Sequence, residues 1–558
     1  MLKKVFKIVG FICLFFVGLL LLLFIYIRFV INPAIPKHDA ALFDKVVPTK
    51  ISDSCFIYKK NWLHKNQYGI WEEYVEGAPF ERGVIIGKLN KELLRQQEEA
   101  FVKQIKVLIP NEKYLSFLRY FIRFFNRHLF ENIPEEYLQE IYGESLSAPH
   151  EYDFIGPAYE RMTNYHAAHD IGHALQSLAM VGCTSFAAWD TKTNDSLLIV
   201  GRNFDFYSGD EFAKNKIVLF CNPTTGNKFM LYTWPGMIGC VSGMNDVGLT
   251  ITINAAKSDI PTDAATPISI LAREILQYAT TIDEAFAIAK KRKTFVAESL
   301  LIAASKNHKA AIIEKSPANI ALYETSADSI LCTNHYQSAA FEKDENNIEN
   351  INTSASKYRL ERLQNLVAEN KKLDVQAVVN ILRDQKGLDN RNIGMGNEKA
   401  LNQLIAFHSV VFVPEKKLVY LSTPPFQLGE YLCYDLNKIF DKNFVFDATK
   451  PVFDVQHTIQ KDSFLVTENW IKFQQFKQTV YAVKDKIKGK DKLPFTENEI
   501  NQFIQCNPEY YYTYVVVGDY FYSKNDMIAA KKYYDIALTK EVNSVDERNH
   551  ILEKINEK

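Results

Sequence analysis

The sequence predicts a layered α+β domain with antiparallel sheets, carried behind one N-terminal apolar helix and followed by a helical extension. Three observations predict it. From 183 to 422, short strand-like runs alternate with blocks of helical periodicity. An uninterrupted apolar run fills residues 8–27, and the stretch 430–558 is rich in Lys, Tyr and Phe. The 558 residues suffice for two to four domains at about 100–200 residues each. Lys and Arg (65) nearly balance Asp and Glu (66), for a net charge of −1. Without a basic footprint, no nucleic-acid partner is expected. Eight cysteines in so long a chain do not make a disulfide scaffold.

Residues 8–27 read IVGFICLFFVGLLLLLFIYI, and about 20 apolar residues at 1.5 Å each cross the roughly 30 Å hydrocarbon core. Lys3, Lys4 and Lys7 precede the run, which keeps that end in the cytoplasm by the positive-inside rule. A cleaved signal would need a shorter apolar region and a small-residue cleavage site. Tyr26, Ile27, Arg28, Phe29 and Val30 follow instead. Residues 1–32 are therefore expected as a cytoplasmic tip and single-pass signal anchor, with the rest of the chain on the extracytoplasmic side, periplasmic or extracellular. Cys13 sits within the run; the other seven cysteines are an odd number in a disulfide-permissive compartment.

Residues 40–75 are mixed, followed by a turn at 77–79. Helical spacing predicts helices from Lys88 to about Phe130 and over roughly 156–180. The texture then changes. Residues 183–190 and 197–204 predict two strands around the polar turn 191–195, and further strands are predicted at 217–221, 229–233, 238–242 and 249–254. Helical periodicity returns over 266–292, with strands at 298–304, 309–314, 319–323 and 329–332, helix near 357–385, and a last hairpin at 408–413 and 417–422. Within 517–538, Gly518, Tyr522, Ala530, Tyr533 and Ala537 fall near the spacing of one tetratricopeptide helix pair. A plain amphipathic hairpin packed on the main domain fits equally.

Cys183 follows Gly182 where helix texture becomes strand texture. With the hairpin turn centred near 193–194, Cys183 faces Phe204 or Asp205, which places Arg202 and Asp205 within a residue or two of the sulfur. A neighbouring cation lowers a thiol's pKa, and the thiolate is the nucleophile. An arbitrary free Cys, by contrast, is most often a small buried hydrophobe.

Several strings together single this one out. GCTSFAAW at 182–189 and GRNFDF at 201–206 resemble the cysteine branch of the N-terminal nucleophile hydrolases, which includes choloylglycine hydrolases, acid ceramidase-like amidases and penicillin acyltransferase-type enzymes. GMNDVGLTITINAA at 243–256, CTNHY at 332–336 and GAPFERGVIIGKL at 77–89 extend the resemblance over roughly 75–425. It implies a four-layer αββα core that matures by cutting itself between Gly182 and Cys183. It further implies Cys183 as nucleophile with its freed α-amine as base, Arg202 and Asp205 holding sulfur and amine, and Asn254 and Asn334 supplying amine or oxyanion contacts. A distal Arg is also implied; within SASKYRLERL at 354–363 either Lys357 or Arg359 could be that residue, with Arg359 preferred. An α-amine suits the work, because its intrinsic pKa of about 7.7–8.0 lies near working pH. Gly182, lacking Cβ, is expected to allow the strained backbone that presents its carbonyl to the thiol.

On this reading residues 40–182 form a mainly helical pro-segment or small chain, 183–428 the catalytic domain, and 429–558 the helical extension. The expected activity is a cysteine amidohydrolase or acyltransferase acting on a small N-acyl or lipid-like amide, without metal or other cofactor. A protein partner through the C-terminal helices is also open. Rival readings are a phospholipase-B-like esterase on the same fold, a catalytically silent scaffold, and a metal-dependent phosphohydrolase using His166, His169, Asp170 and His173, which line one helical stripe. Cys240 is a second candidate nucleophile, read mainly as a buried structural Cys. His335 is a candidate substrate contact or a solvated loop residue, and Trp234 with Met237 could line an acyl pocket.

Overall fold

A computed structural model describes residues 2–30, 33–174, 182–207, 209–257, 259 and 263–557. The mixed α+β class is as expected. Among the described residues, eighteen strands fall into two sheets. The larger has eleven strands in the order β1-β2-β3-β4-β7-β8-β9-β10-β11-β12-β13: β1 (Thr49–Ser52), β2 (Cys55–Tyr58), β3 (Asn61–Lys65), β4 (Trp71–Gly77), β7 (Ile217–Pro223), β8 (Phe229–Thr233), β9 (Ser242–Asn245), β10 (Leu249–Ala255), β11 (Glu298–Ala304), β12 (Lys309–Lys315) and β13 (Ile320–Tyr323). The smaller runs β14-β5-β6-β15-β16-β17-β18: β14 (Ser329–Cys332), β5 (Thr184–Ala188), β6 (Ile199–Phe204), β15 (His408–Val413), β16 (Leu418–Ser422), β17 (Tyr431–Asp435) and β18 (Asp454–Ile459).

Period-two alternation explains how the sheets stack. In β7, Val218 and Phe220 join one apolar cluster with Val200 of β6 and Val410 and Phe412 of β15, so the two sheets meet face to face. Ile217 and Leu219 point the other way, into a cluster with Phe80 and Val84 of the helix Pro79–Leu89 and Leu271 and Ile275 of the helix Ile268–Tyr278. The smaller sheet's outer face, through Phe186 and Val411, packs on Leu363 and Val367 of the helix Ser356–Glu369 and on Val378 and Leu382 of the helix Val375–Leu382.

The segment 40–182, expected as mainly helical, also contributes β1–β4 to the larger sheet, and β4 joins it by parallel pairing to β7 along Trp71–Gly77. Two expectations need correction. The strand expected at 238–242 begins only at Ser242: Gly236 takes a positive φ of 85° in the preceding turn. The smaller sheet also runs past 428, through β17 and β18.

At the N-terminus, Phe6–Arg28 (23 residues) is long and apolar enough to cross a membrane. At the other end, helices Glu468–Ile487, Glu497–Cys506, Tyr511–Ser523, Met527–Leu538 and Val545–Asn556 share a core of their own, built on Phe476, Phe503, Tyr514, Val517 and Tyr534. Asn397 Nδ2, donating to the Glu541 carbonyl at 2.9 Å, and Asn507 Nδ2, donating to the Met395 carbonyl at 2.8 Å, fasten them to the sheet domain.

Candidate active site

The β5–β6 ladder sets the register at the site. Thr184 pairs with Asn203 and Ser185 with Arg202, so Cys183, one residue before β5, lies opposite Phe204. Arg202 accordingly sends its guanidinium to the sulfur, with Nη2 3.7 Å from Cys183 Sγ. The guanidinium is itself held: Nη1 donates to the Val241 carbonyl at 2.8 Å and to Ser242 Oγ, and Nη2 donates to the Ile253 carbonyl. Cys183 is only 1% exposed. Burial pushes its thiol up to about 11 against the opposing pull of Arg202, so it is a protonated thiol.

Asp205 is the unusual group. Its backbone carbonyl accepts from Gly182 N–H at 3.1 Å, which fixes it beside the Gly182–Cys183 bond. It is fully buried, and among the described residues neither carboxylate oxygen has a hydrogen-bond partner. Burial raises its carboxyl to about 8, with Arg359 and Arg202 acting against the rise.

Arg359, on the helix Ser356–Glu369, reaches the site from the outer layer. Nη1 donates to the Cys183 carbonyl at 2.6 Å and to Thr184 Oγ1 at 3.2 Å, and Nη2 to Asn334 Oδ1 at 2.7 Å. Lys357 is exposed on the same helix, so of the two candidates only Arg359 meets Cys183. Asn334 Nδ2 donates to the Ala255 carbonyl at 2.8 Å; Asn254 accepts from Ser185 Oγ at 2.9 Å and donates to the Cys332 carbonyl at 3.4 Å. Each side-chain amide has two N–H bonds, and each spends one on backbone.

Gly182 departs from the expectation of strained backbone. It is absent from the positive-φ glycines; what it needs is space, because a Cβ there would overlap the Gln403 side-chain amide. Gln403 Nε2 donates to the Gly182 carbonyl at 3.1 Å. Sequence reasoning missed Gln403, which sits in a loop without periodicity. It also missed His408, whose Nε2 meets Ser242 Oγ at 2.8 Å behind Arg202. Burial, with Arg202 and Lys216 adding to it, holds His408 well below its usual range and so neutral. A polar residue heading the apolar run 408–413 was the available signal.

The other candidates sort by their contacts. Cys240 is buried, its thiol pushed up to about 12 by burial, and none of the eight cysteines is paired. His335 is not a solvated loop residue: it is 5% exposed, with Nδ1 2.7 Å from Ser356 Oγ. Both His166 ring nitrogens are committed, Nδ1 donating to the Met162 carbonyl at 2.8 Å and Nε2 accepting from Ile238 N–H at 3.1 Å. Asp170 accepts from Ile268 N–H at 2.8 Å. The side chains of His169 and His173, like residues 175–181, lie outside the described residues. Trp234 and Met237 do line a narrow, largely apolar cleft, with Phe101, Met162, Tyr165 and Phe206. Phe206 stacks on Phe204, centroids 5.5 Å apart, and Arg202 lies over that Phe204 ring at 4.4 Å. Phe206 and Phe204 thus link the cleft to the Arg202 guanidinium at the sulfur.

Residues 189–423 match the family described as acyl-coenzyme A:6-aminopenicillanic acid acyl-transferase. The resemblance read from the sequence is borne out. The acyltransferase-type match starts after Cys183 and takes in Arg202, Asp205, Asn254, Asn334 and Arg359. An uncharacterized protein of Archaeoglobus fulgidus is 23% identical over 275 residues, 44% of this chain; the match spans 43% of that curated relative's length. Among solved structures, a Caenorhabditis elegans N-acylethanolamine-hydrolyzing acid amidase ortholog aligns at 18% identity, covering 42% of this chain and 93% of its own, with a TM-score of 0.30. A conjugated bile acid hydrolase from Clostridium perfringens aligns at 13% identity, covering 49% and 99%, with a TM-score of 0.31. Penicillin V acylase from Agrobacterium tumefaciens aligns at 13% identity, covering 46% and 87%, with a TM-score of 0.29.

Proposed function

We propose that this chain is an exported, membrane-anchored cysteine amidohydrolase or acyltransferase of the N-terminal nucleophile type, which cuts itself between Gly182 and Cys183 and attacks an N-acyl amide through a Cys183 thioester. The observation that carries the reading is the convergence on one residue: Arg202 at the Cys183 sulfur and Arg359 at its carbonyl, with Asp205, its buried carboxyl without a hydrogen-bond partner among the described residues, held through its own carbonyl to the Gly182 N–H. The acyltransferase-family match and the two stacked sheets, each with helices on its outer face, support a four-layer αββα core that takes in β1–β4 and β17–β18 as well as residues 183–428.

In maturation, Cys183 Sγ attacks the Gly182 carbonyl, which Gln403 polarises, and the C–N bond breaks as the acyl group moves to sulfur. Water then hydrolyses that thioester, leaving a Gly182 carboxylate, a Cys183 thiol and a free α-amine. Whenever that amine carries a proton, an ion pair with Asp205 would draw the carboxyl back down. In turnover the amine takes the thiol proton, and the thiolate adds to the substrate carbonyl. Remaining N–H bonds of Asn254 and Asn334 stabilise the oxyanion, a donor type whose removal costs about 10²–10³ in rate. The leaving amine departs with the proton, and water or an acceptor amine resolves the acyl-thioester. The cleft lined by Trp234, Met237 and Phe206 would take the acyl group.

The test is the N-terminal sequence of purified chains. A new terminus beginning Cys-Thr-Ser-Phe in wild type and absent from Cys183→Ala supports the reading. An intact chain in both, with no amidase activity in either, leaves the silent scaffold.

A further inference from the structure

The helix Glu112–Phe125, EKYLSFLRYFIRFF, has no place in the chemistry above, and its surface is at odds with an aqueous one. Tyr114, Phe117, Phe121 and Phe124 follow each other at spacings of three, four and three residues, which puts four aromatic rings on one face. All four are exposed, Phe117 at 51% and Phe121 at 61%. The opposite face is the packed one. Leu115 is buried, Arg123 makes a two-pronged ion pair with Glu160, and Asn126, the C-cap, donates to Asn164 Oδ1 at 2.8 Å. The stripe is therefore turned outward by the helix's own anchoring.

Its position says what covers it. The apolar segment Phe6–Arg28 ends against this helix, with the Phe24 ring 5.1 Å from the Tyr120 ring. Phe24 lies four residues before Arg28, about 6 Å along the axis, so the contact falls where a roughly 30 Å hydrocarbon span gives way to headgroups. A helix docked at that depth, with aromatic rings on its free face, has the makeup of an interfacial helix.

We propose that the helix Glu112–Phe125 lies in the interface of the anchoring bilayer, with Phe117 and Phe121 inserted among the lipids. The inference rests on the membrane-anchor reading above. The same helix is bolted through Glu160 and Asn164 to the helix Ala158–Ala174, which supplies Met162 and Tyr165 to the apolar cleft. The cleft wall therefore stands one helix away from the lipid surface.

The experiment uses the full chain with Cys13→Ser and Cys506→Ser, reconstituted in phosphatidylcholine vesicles. An environment-sensitive fluorophore is placed at Phe117→Cys, at Phe121→Cys, or at Ile528→Cys, which is 89% exposed in the C-terminal helices. Lipids brominated near the headgroup report burial about 5–10 Å below it. Quenching at 117 and 121 but not at 528 supports the proposal. Chains that float with the vesicles yet show no quenching at 117 and 121 keep the anchor and overturn the inference. Labels shielded from aqueous iodide but untouched by brominated lipid mean a protein covers the stripe, which also overturns it. If the N-terminal 30 residues prove to be removed, the anchor reading fails by itself; flotation of the processed chain then still supports the interfacial helix, and failure to float overturns it.

Discussion

Asp205→Asn is the perturbation whose effect the site specifies most closely. In the uncut chain this carboxyl titrates near 8 instead of the usual 3.8, because burial outweighs Arg359 and Arg202. Below about pH 4 it is neutral in folded and unfolded chains alike, and its titration takes nothing from stability. Between about 4 and 8 the unfolded chain sheds this proton and the folded one does not, so folding becomes less favourable as pH rises, by about 1.4 kcal/mol per pH unit. At pH 7 that amounts to a cost on the order of 4 kcal/mol. An asparagine there has no charge to lose. Stability of the uncleavable Cys183→Ala chain and of Cys183→Ala/Asp205→Asn, read from urea midpoints at pH 5, 6 and 7, should therefore diverge progressively in favour of the double variant. Other raised carboxyls, such as Glu73 and Glu144, are common to both chains and cancel. A gap that stays constant across the series would refute the argument that Asp205 is held neutral and partnerless.

Three more outcomes can be checked. Gly182→Ala places a Cβ on the Gln403 amide, and the cut measured by band shift should fall to a trace, recovering in part with Gln403→Ala. Arg359→Met removes the donors to the Cys183 carbonyl and Asn334; amidase kcat should drop by about 10²–10³, and unchanged turnover would remove Arg359 from the site. Gly83→Ala drives a methyl into the Glu140 carbonyl, where the helices Pro79–Leu89 and Glu135–Ser145 touch through their backbones. Thermal unfolding should show a loss of about 1–3 kcal/mol or more, the cost of overpacking.

The strands that carry the site were legible because their alternation is clean. The runs 229–233, 298–304, 329–332 and 408–413 begin and end where the structure has β8, β11, β14 and β15. β3 and β4 were hidden by their own polar interior. Glu72 and Glu73 are buried on opposite faces of β4, Glu72 Oε1 accepting from Tyr434 and Glu73 from Asn90, so the apolar period that marks a strand is broken by charged groups whose partners lie on other elements. Local register brought Arg202 to Cys183, since a hairpin's pairing is a matter of counting. Arg359 came from family resemblance alone, and Gln403 from neither: their contacts with residues 182–183 depend on how a helix and a loop pack across the sheet, which no local pattern encodes.

The parallel seam between β4 and β7 has a consequence for what a cut after residue 182 would produce. It would sever the covalent thread without parting the two pieces, because the N-terminal fragment would still be paired into the eleven-stranded sheet along Trp71–Gly77. Unfolding would then change character. A chain that refolds alone before the cut would afterwards have to find its other half, and its apparent stability would come to depend on concentration. The cut would make assembly a one-way step, with the N-terminal strands serving as a mould used once.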